Sequence, residues 1–317
     1  MSRIYKPVTD EISSIEELPL EDVYMYDIGM KDSPHTFFAN NILVHNSLFL
    51  PILPLLNDVN IEELTDTELI ELAKPLVKEV QEFINTSYTP YAKKFHMIDT
   101  HRWDIKQELI ARRAFWITKK RYAQWIVVKE GFPIEKLDVK GLDVVRSSFP
   151  TAFRNLLKQV LIDILHDKSK KDLDILLLNF KKTVNTTELN NILFPTGAKE
   201  IKKYETGVIG RVKSGTPAHI KSAINYNHLM DLFNIVDIPK ISDGDKILWG
   251  YLHNNPYNFE SLAITGNFDD EKIIEFMEKY VDKNKIFESG LLKKLQAYWD
   301  AMGWGKITFN SNVNKFF

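Results

Sequence analysis

The chain contains no cysteine in its 317 residues. Disulfides, thiolate metal sites and cysteine nucleophiles are thereby excluded from it. Long apolar runs are missing too: no stretch reaches the roughly 18 residues that a membrane-spanning helix requires. The opening Met1-Ser2-Arg3-Ile4-Tyr5-Lys6 has no signal-peptide core behind it. Internal repeats and low-complexity tracts are likewise absent. What remains is ordinary globular composition, 44% hydrophobic and 26% charged. The length suits two domains with room for a small third. The expectation is a cytoplasmic protein with no membrane partner.

Charge is unevenly distributed. Residues 1–46 hold three basic and eight acidic residues, a net −5, which leaves +3 on residues 47–317 of a chain whose total is −2. An acidic leader on a mildly basic body suggests two units with different partners, although a solvated acidic start would look the same.

Residues 23–30, Thr36–Ala39 and Ile42–Val44 have the β-branched and aromatic content of strands. Asn40-Asn41 supplies turn residues between the last two. The first 46 residues are therefore a small β piece, too short to bury a core alone. Leu48 to Leu53 reads as a buried strand running into a loop. Thr65 and Glu68 form a capping box, opening a helix with Leu69, Leu72, Leu76, Val80 and Phe83 on one face, and Pro75 marks a second helix start. Residues 104–128 read as a hairpin or meander. Phe153, Leu156, Leu157, Val160, Leu161, Ile164 and Leu165 make an amphipathic helix. Further helices are expected from Thr216-Pro217, over Asp269–Asp282 and over Ser289–Met302. The second half thus reads as mostly helical.

Two sets of residues carry chemistry. The first is His45-Asn46-Ser47. An asparagine side-chain nitrogen can attack its own carbonyl, close a succinimide and expel the amine of the next residue. The amine leaves poorly, so a neighbouring proton donor is needed, and His45 is in place to act as one. Ser47 offers a hydroxyl that can hold an acyl group. Its freed amine would then take that group through a five-membered ring at high effective molarity. Alone, the triplet could equally be a polar strand end. It is not alone: Tyr26-Asp27-Ile28, Asp32 through Ala39 and Asn41 through Ser47 together resemble the two C-terminal blocks of inteins, the Hint-type self-splicing domains. The resemblance implies that Asp27 and His35 are catalytic helpers, that His45 and Asn46 are the terminal pair, and that Ser47 is the first residue of the host protein. No N-terminal nucleophile or Thr-x-x-His block precedes them. The resemblance therefore implies the C-terminal piece of a split intein, inert until a partner supplies the rest. The acidic leader implies a basic surface on that partner.

The second set lies downstream. Lys119-Lys120-Arg121-Tyr122 offers cations for phosphates and a planar donor-bearing ring for a groove edge. Lys140-Gly141 and Arg146-Ser147-Ser148 add further backbone-contact types. A solvated charged face is the bland alternative. In order and spacing these stretches resemble family B DNA polymerases, the T-even-like phage enzymes best. In that family inteins commonly interrupt the palm Asp-Thr-Asp-Ser turn before its Ser, and Ser47-Leu48-Phe49-Leu50 fits the strand that resumes after the interruption. The resemblance implies that Lys119, Lys120, Arg121 and Tyr122 hold the primer-template duplex. It also implies that Lys140, Gly141, Arg146, Ser147 and Ser148 lead into the thumb. Glu108 matches a further palm carboxylate near the metals, though an exposed strand glutamate would look no different. The Mg²⁺-binding aspartates would lie in a partner chain, so no metal ligand is expected here except Glu108. His96 and His101, flanking Asp99, read as surface loop residues. Phe316 and Phe317 match a C-terminal peptide that binds a sliding clamp; packing on the chain's own thumb is the alternative.

The expected fold class is α+β: a small β-rich Hint piece at 1–46, a β-rich palm remainder at 47–145 and a mostly helical thumb with a clamp-binding tail at 146–317. The expected function is the C-terminal part of a DNA-directed DNA polymerase, acting on primer-template DNA and dNTP once trans-splicing has joined it to an N-terminal fragment. The alternative is a DNA-binding thumb module that complements that fragment non-covalently, its intein remnant inactive.

Overall fold

The computed structural model describes residues 36–39, 42–45, 49, 51, 63–96, 99–101 and 103–309. The chain divides into two units, Met1–Glu108 and Leu109–Phe317. No described helix is long and apolar enough to cross a membrane.

In the first unit, β1 (Thr36–Ala39) and β2 (Ile42–His45) pair antiparallel with Thr36 opposite His45 and Ala39 opposite Ile42. The hairpin expected around Asn40-Asn41 is thus present in the backbone. The helix α1 (Asp66–His96) starts at the expected capping box: Thr65 N–H donates to Glu68 Oε2 at 2.8 Å and Glu68 N–H to Thr65 Oγ1 at 3.3 Å. Contrary to the sequence-based expectation, Pro75 does not begin a second helix; it and Pro90 both lie inside α1. Both prolines are exposed, so the carbonyls their missing N–H groups leave unbonded can turn to water. Phe83, placed on the apolar face by its spacing, is also exposed.

A ladder of side chains lays the segment after α1 back along the helix. Gln81 Oε1 accepts from Gln107 N–H, Asn85 Oδ1 from Ile105 N–H, and Thr89 Oγ1 meets His101 Nε2 at 3.1 Å. Residues four apart share a helix face, so one polar stripe holds the extended chain along it. His101 Nδ1 accepts from Trp103 N–H and its ring stacks on Trp103 at 5.3 Å. His96 is not the loop residue expected but the last residue of α1; His101 does lie in the connecting loop, half-buried and packed against an aromatic partner.

The second unit opens with a meander, β3 (Leu109–Thr118), β4 (Arg121–Lys129) and β5 (Phe132–Lys140), in that sheet order. A single 3-10 turn, Asp143–Val145, leads to α2 (Thr151–Leu165). The apolar stripe from Phe153 to Leu165 is buried as its period requires. Next comes α3 (Lys170–Val184), whose N-terminus is a reciprocal capping box between Ser169 and Asp172. Ser169→Ala is expected to lower stability by about 1 kcal/mol, measured as a fall in the thermal unfolding midpoint; no change would mean the box carries no weight there.

Beyond α4 (Leu189–Ile192), α5 (Ile201–Tyr204) and α6 (Ala218–Leu232), a second sheet forms that the sequence pattern did not announce. It orders β6 (Phe194–Gly197), β7 (Lys246–Tyr251) and β8 (Ser261–Ile264), all antiparallel. The helix α6 packs along it and is buried on nearly every side, with Asn225 donating to the Ser261 carbonyl and Asn227 bonded to both Ile241 N–H and C=O. Then follow α7 (Glu271–Tyr280), α8 (Lys283–Ile286), a π-helical stretch Phe287–Leu292 and α9 (Lys293–Ala301). The expected helix over Ser289–Met302 is therefore the end of a longer run that begins at Lys283. After α9, Gln296 accepts from Ile307 N–H and donates to the Gly305 carbonyl, while Lys181 Nζ lies 4.4 Å from the Phe309 ring centre. The architecture is α+β, with the second half less purely helical than expected.

Candidate nucleic-acid interface

The meander positions the basic residues that stand out in the sequence. Lys119 and Lys120 form the two-residue turn between β3 and β4, and Lys120 has the left-handed φ of 63°. Both are exposed, and neither pairs with a carboxylate among the described residues. Arg121 and Tyr122 follow on β4, and strand alternation sends them to opposite faces.

Tyr122 shares its face with two cross-strand partners. Trp116 on β3 lies opposite it, with ring centres 4.5 Å apart, and Lys140 on β5 lies opposite it on the other side. An aromatic pair and a cation thus form one row across the end of the sheet. Asp138 accepts from Gln124 Nε2 at 3.1 Å and stands 3.4 Å from Lys140 Nζ.

Gly141 locks the two basic stretches together. Its φ is +67°, and a Cβ built on it would come 2.2 Å from the Lys120 carbonyl oxygen. Only a residue without a side chain allows the backbone after β5 to press on the turn that carries Lys119 and Lys120.

On the opposite face Arg121 approaches Asp143, which is almost fully buried. Arg121 Nη2 is 3.9 Å from its carboxylate, Arg146 Nη1 3.4 Å and Lys294 Nζ 3.2 Å. Three cations from β4, from the end of the 3-10 turn and from α9 thus converge on one carboxylate. Tyr298, buried beside them and edge-on to Phe115 at 5.9 Å, has its phenol pushed up by burial and then by the Asp143 charge. Ser147 and Ser148 are exposed in the turn that precedes α2.

The fold therefore brings together Lys119, Lys120, Arg121, Tyr122, Lys140, Gly141 and Arg146, with Ser147 and Ser148 next in chain. Three members of the cluster are not evident from the sequence. Asp143 sits between Gly141 and Arg146, three residues before the latter, and that spacing is a usable signal. Lys294 has none, since it arrives from the far end of the chain. Trp116 is hidden by a β-bulge: Thr118 pairs with Arg121 but Trp116, not Ile117, pairs with Tyr122.

Other expected site residues fall elsewhere. Glu108 is exposed and ends the first unit. Among the described residues no three His, Cys, Asp or Glu side chains gather as metal ligands. Asp27, His35, Asn46, Ser47, Phe316 and Phe317 lie outside the described residues, and of His45 only the backbone, in β2, is described.

Residues 79–209 match the model of DNA polymerase family B. That stretch begins in α1 and contains the whole meander and the Asp143 cluster save Lys294. Over that stretch the chain is similar to family B DNA polymerases. Individual enzymes show the same similarity. The DNA polymerase of Thermococcus litoralis is 31% identical over 159 residues, 50% of this chain but 8% of that protein. The DNA-directed DNA polymerase of Escherichia phage RB69 is 26% identical over 208 residues, 64% of this chain and 22% of that protein. The DNA polymerase of Thermococcus aggregans is 28% identical over 168 residues, 50% of this chain and 8% of that protein. The chain thus spans less than a quarter of these relatives' lengths.

Proposed function

We propose that residues 47–317 complete the palm and form the thumb of a family B DNA polymerase, and that the exposed basic face grips the primer-template duplex. The observation that carries this is the seating of Gly141 on the Lys120 carbonyl, which fuses two separate basic stretches into one surface. There, lysines act as point charges on phosphates, while Arg121 and Arg146, on the other face of the sheet's end, offer planar forks. Ser147 and Ser148 can donate to phosphate oxygens, and Tyr122, backed by Trp116, presents a ring edge to the groove. These contacts hold the duplex in register without reading its sequence.

In this reading the phosphoryl transfer itself belongs to carboxylates of an N-terminal polymerase fragment, with Glu108 as this chain's one candidate addition to a Mg²⁺ and dNTP site. Trans-splicing through Asp27, His35, His45, Asn46 and Ser47 would join the two fragments in the cytoplasm. That part of the proposal is supported by the sequence motifs. Phe316 and Phe317 would dock on a sliding clamp, a short way beyond the Phe309 that Lys181 covers.

The test of the interface is Lys119→Ala/Lys120→Ala. Neutralising Z phosphates gives a salt slope of about −0.9Z in log affinity, so losing two contacts should flatten the slope by about 2 and weaken all duplex sequences alike. Fluorescence anisotropy with labelled primer-template duplex reads both. An unchanged slope would move the interface elsewhere.

A further inference from the structure

We propose that Asp143 is a positioning residue, a buried carboxylate that orients Arg121 and Arg146 toward the duplex backbone and ties them to α9 through Lys294. The inference rests on the duplex-gripping reading above and adds to it the residue that sets the geometry.

The charges around Asp143 do not balance. Its side chain is 7% exposed, whereas those of Arg121, Arg146 and Lys294 are 37%, 58% and 39% exposed. Among the described residues none of the three cations pairs with any other carboxylate. One carboxylate therefore faces three cations and leaves two positive charges uncompensated. A purely structural ion pair has no use for that excess, because like charges held close repel. An arrangement of this kind is completed by an anion from outside, and the cations reach solvent where one could arrive.

The geometry points the same way. Arg121 Nε is buried and has no hydrogen-bond partner among the described residues, and the carboxylate that faces this guanidinium is Asp143, 3.9 Å from Nη2. Arg146 leaves the 3-10 turn in an extended conformation, its own N–H donating to the Asp143 carbonyl. Asp143 thus holds Arg146 at both the backbone and the side chain. Arginine forks bind phosphate well only when their plane is set beforehand. A buried carboxylate behind them can set it, and Lys294 links that arrangement to the last helix of the unit.

The two possible roles of a carboxylate here predict opposite signs. If Asp143 merely adds negative charge near a phosphate track, Asp143→Asn should tighten duplex binding. If it positions the arginines, Asp143→Asn should weaken binding although the net charge becomes more positive. The expected result for the full chain is about a tenfold weaker affinity for primer-template duplex, the worth of one well-placed charged hydrogen bond, with a shallower salt slope. Asp143→Glu should recover most of it. Affinity equal to or tighter than wild type would overturn the proposal.

Should Asp143→Asn fail the thermal-unfolding control, Arg146→Lys decides instead. It keeps the charge but loses the oriented fork, so it should bind as weakly as Arg146→Gln; wild-type binding by Arg146→Lys would overturn the proposal as well. The two levels of failure separate cleanly. If Lys119→Ala/Lys120→Ala binds like wild type, the interface reading falls and this inference with it. If only the lysine variant weakens, the interface stands and Asp143 is not its positioning residue.

Discussion

Gly141→Ala should break the basic face in two. The alanine would have to occupy a φ of +67°, which costs an L-residue about 1–2 kcal/mol. Its Cβ would also meet the Lys120 carbonyl oxygen at 2.2 Å. That atom is backbone, pinned in a two-residue turn, and cannot rotate away as a side chain would. Relief requires moving the turn or the chain after β5, an overpacking cost of about 1–3 kcal/mol. Lys119 and Lys120 would then no longer sit against the chain that leads from Lys140 to Arg146, so duplex affinity should fall further than for the double lysine variant. Gly131→Ala is the control. Gly131 has a φ of +84°, but its Cβ would meet nothing within 4 Å. It should therefore show backbone strain alone, a modest loss of stability with duplex binding intact. Thermal unfolding and anisotropy on both variants give the answer, and equal behaviour would remove Gly141 from its assigned role.

That contrast between two glycines marks what a sequence can and cannot reveal. Local chemistry was legible. The Thr65–Glu68 capping box and the stripe from Phe153 to Leu165 both depend on neighbours a few residues away. Signals overridden by packing or solvent were not. Pro75 looks like a helix start, yet α1 runs through it, as through Pro90, with both exposed. Its burial on almost all sides deprives α6 of a clean apolar stripe. Pro195 and Gly197 in the four-residue β6 disguise an edge strand. At the interface, the basic residues were visible as a cluster of charge, but their organiser was not. Asp143 gains its meaning from Lys294, about half the chain away, and no period or spacing connects them.

Asn46→Ala should abolish release of residues 1–46, and Ser47→Ala should abolish ligation. The two variants separate two bonds. Cleavage after Asn46 needs its side-chain nitrogen to form a new C–N bond with the Asn46 carbonyl carbon, as the bond to Ser47 breaks and its nitrogen takes a proton. Alanine has no such nitrogen, so the step has no route. Ligation needs an oxygen at position 47 to accept the acyl group from the partner fragment as an ester, which the freed amine then converts to a peptide. Alanine removes the oxygen and leaves the amine with nothing to capture. Mixing the chain with an N-terminal polymerase fragment that ends in the complementary intein piece, with mass spectrometry as the readout, distinguishes the outcomes. Wild type should give a ligated product lacking residues 1–46, Asn46→Ala a branched or unligated one, and Ser47→Ala no ligation at all. The net −5 of residues 1–46 adds a kinetic signature: association should slow as salt screens its attraction to a basic partner surface. If DNA synthesis is restored on mixing while no ligated mass forms, the fragments work by non-covalent complementation. A ligated product from Ser47→Ala would refute splicing through this residue altogether, since no other group at that junction can carry the acyl intermediate.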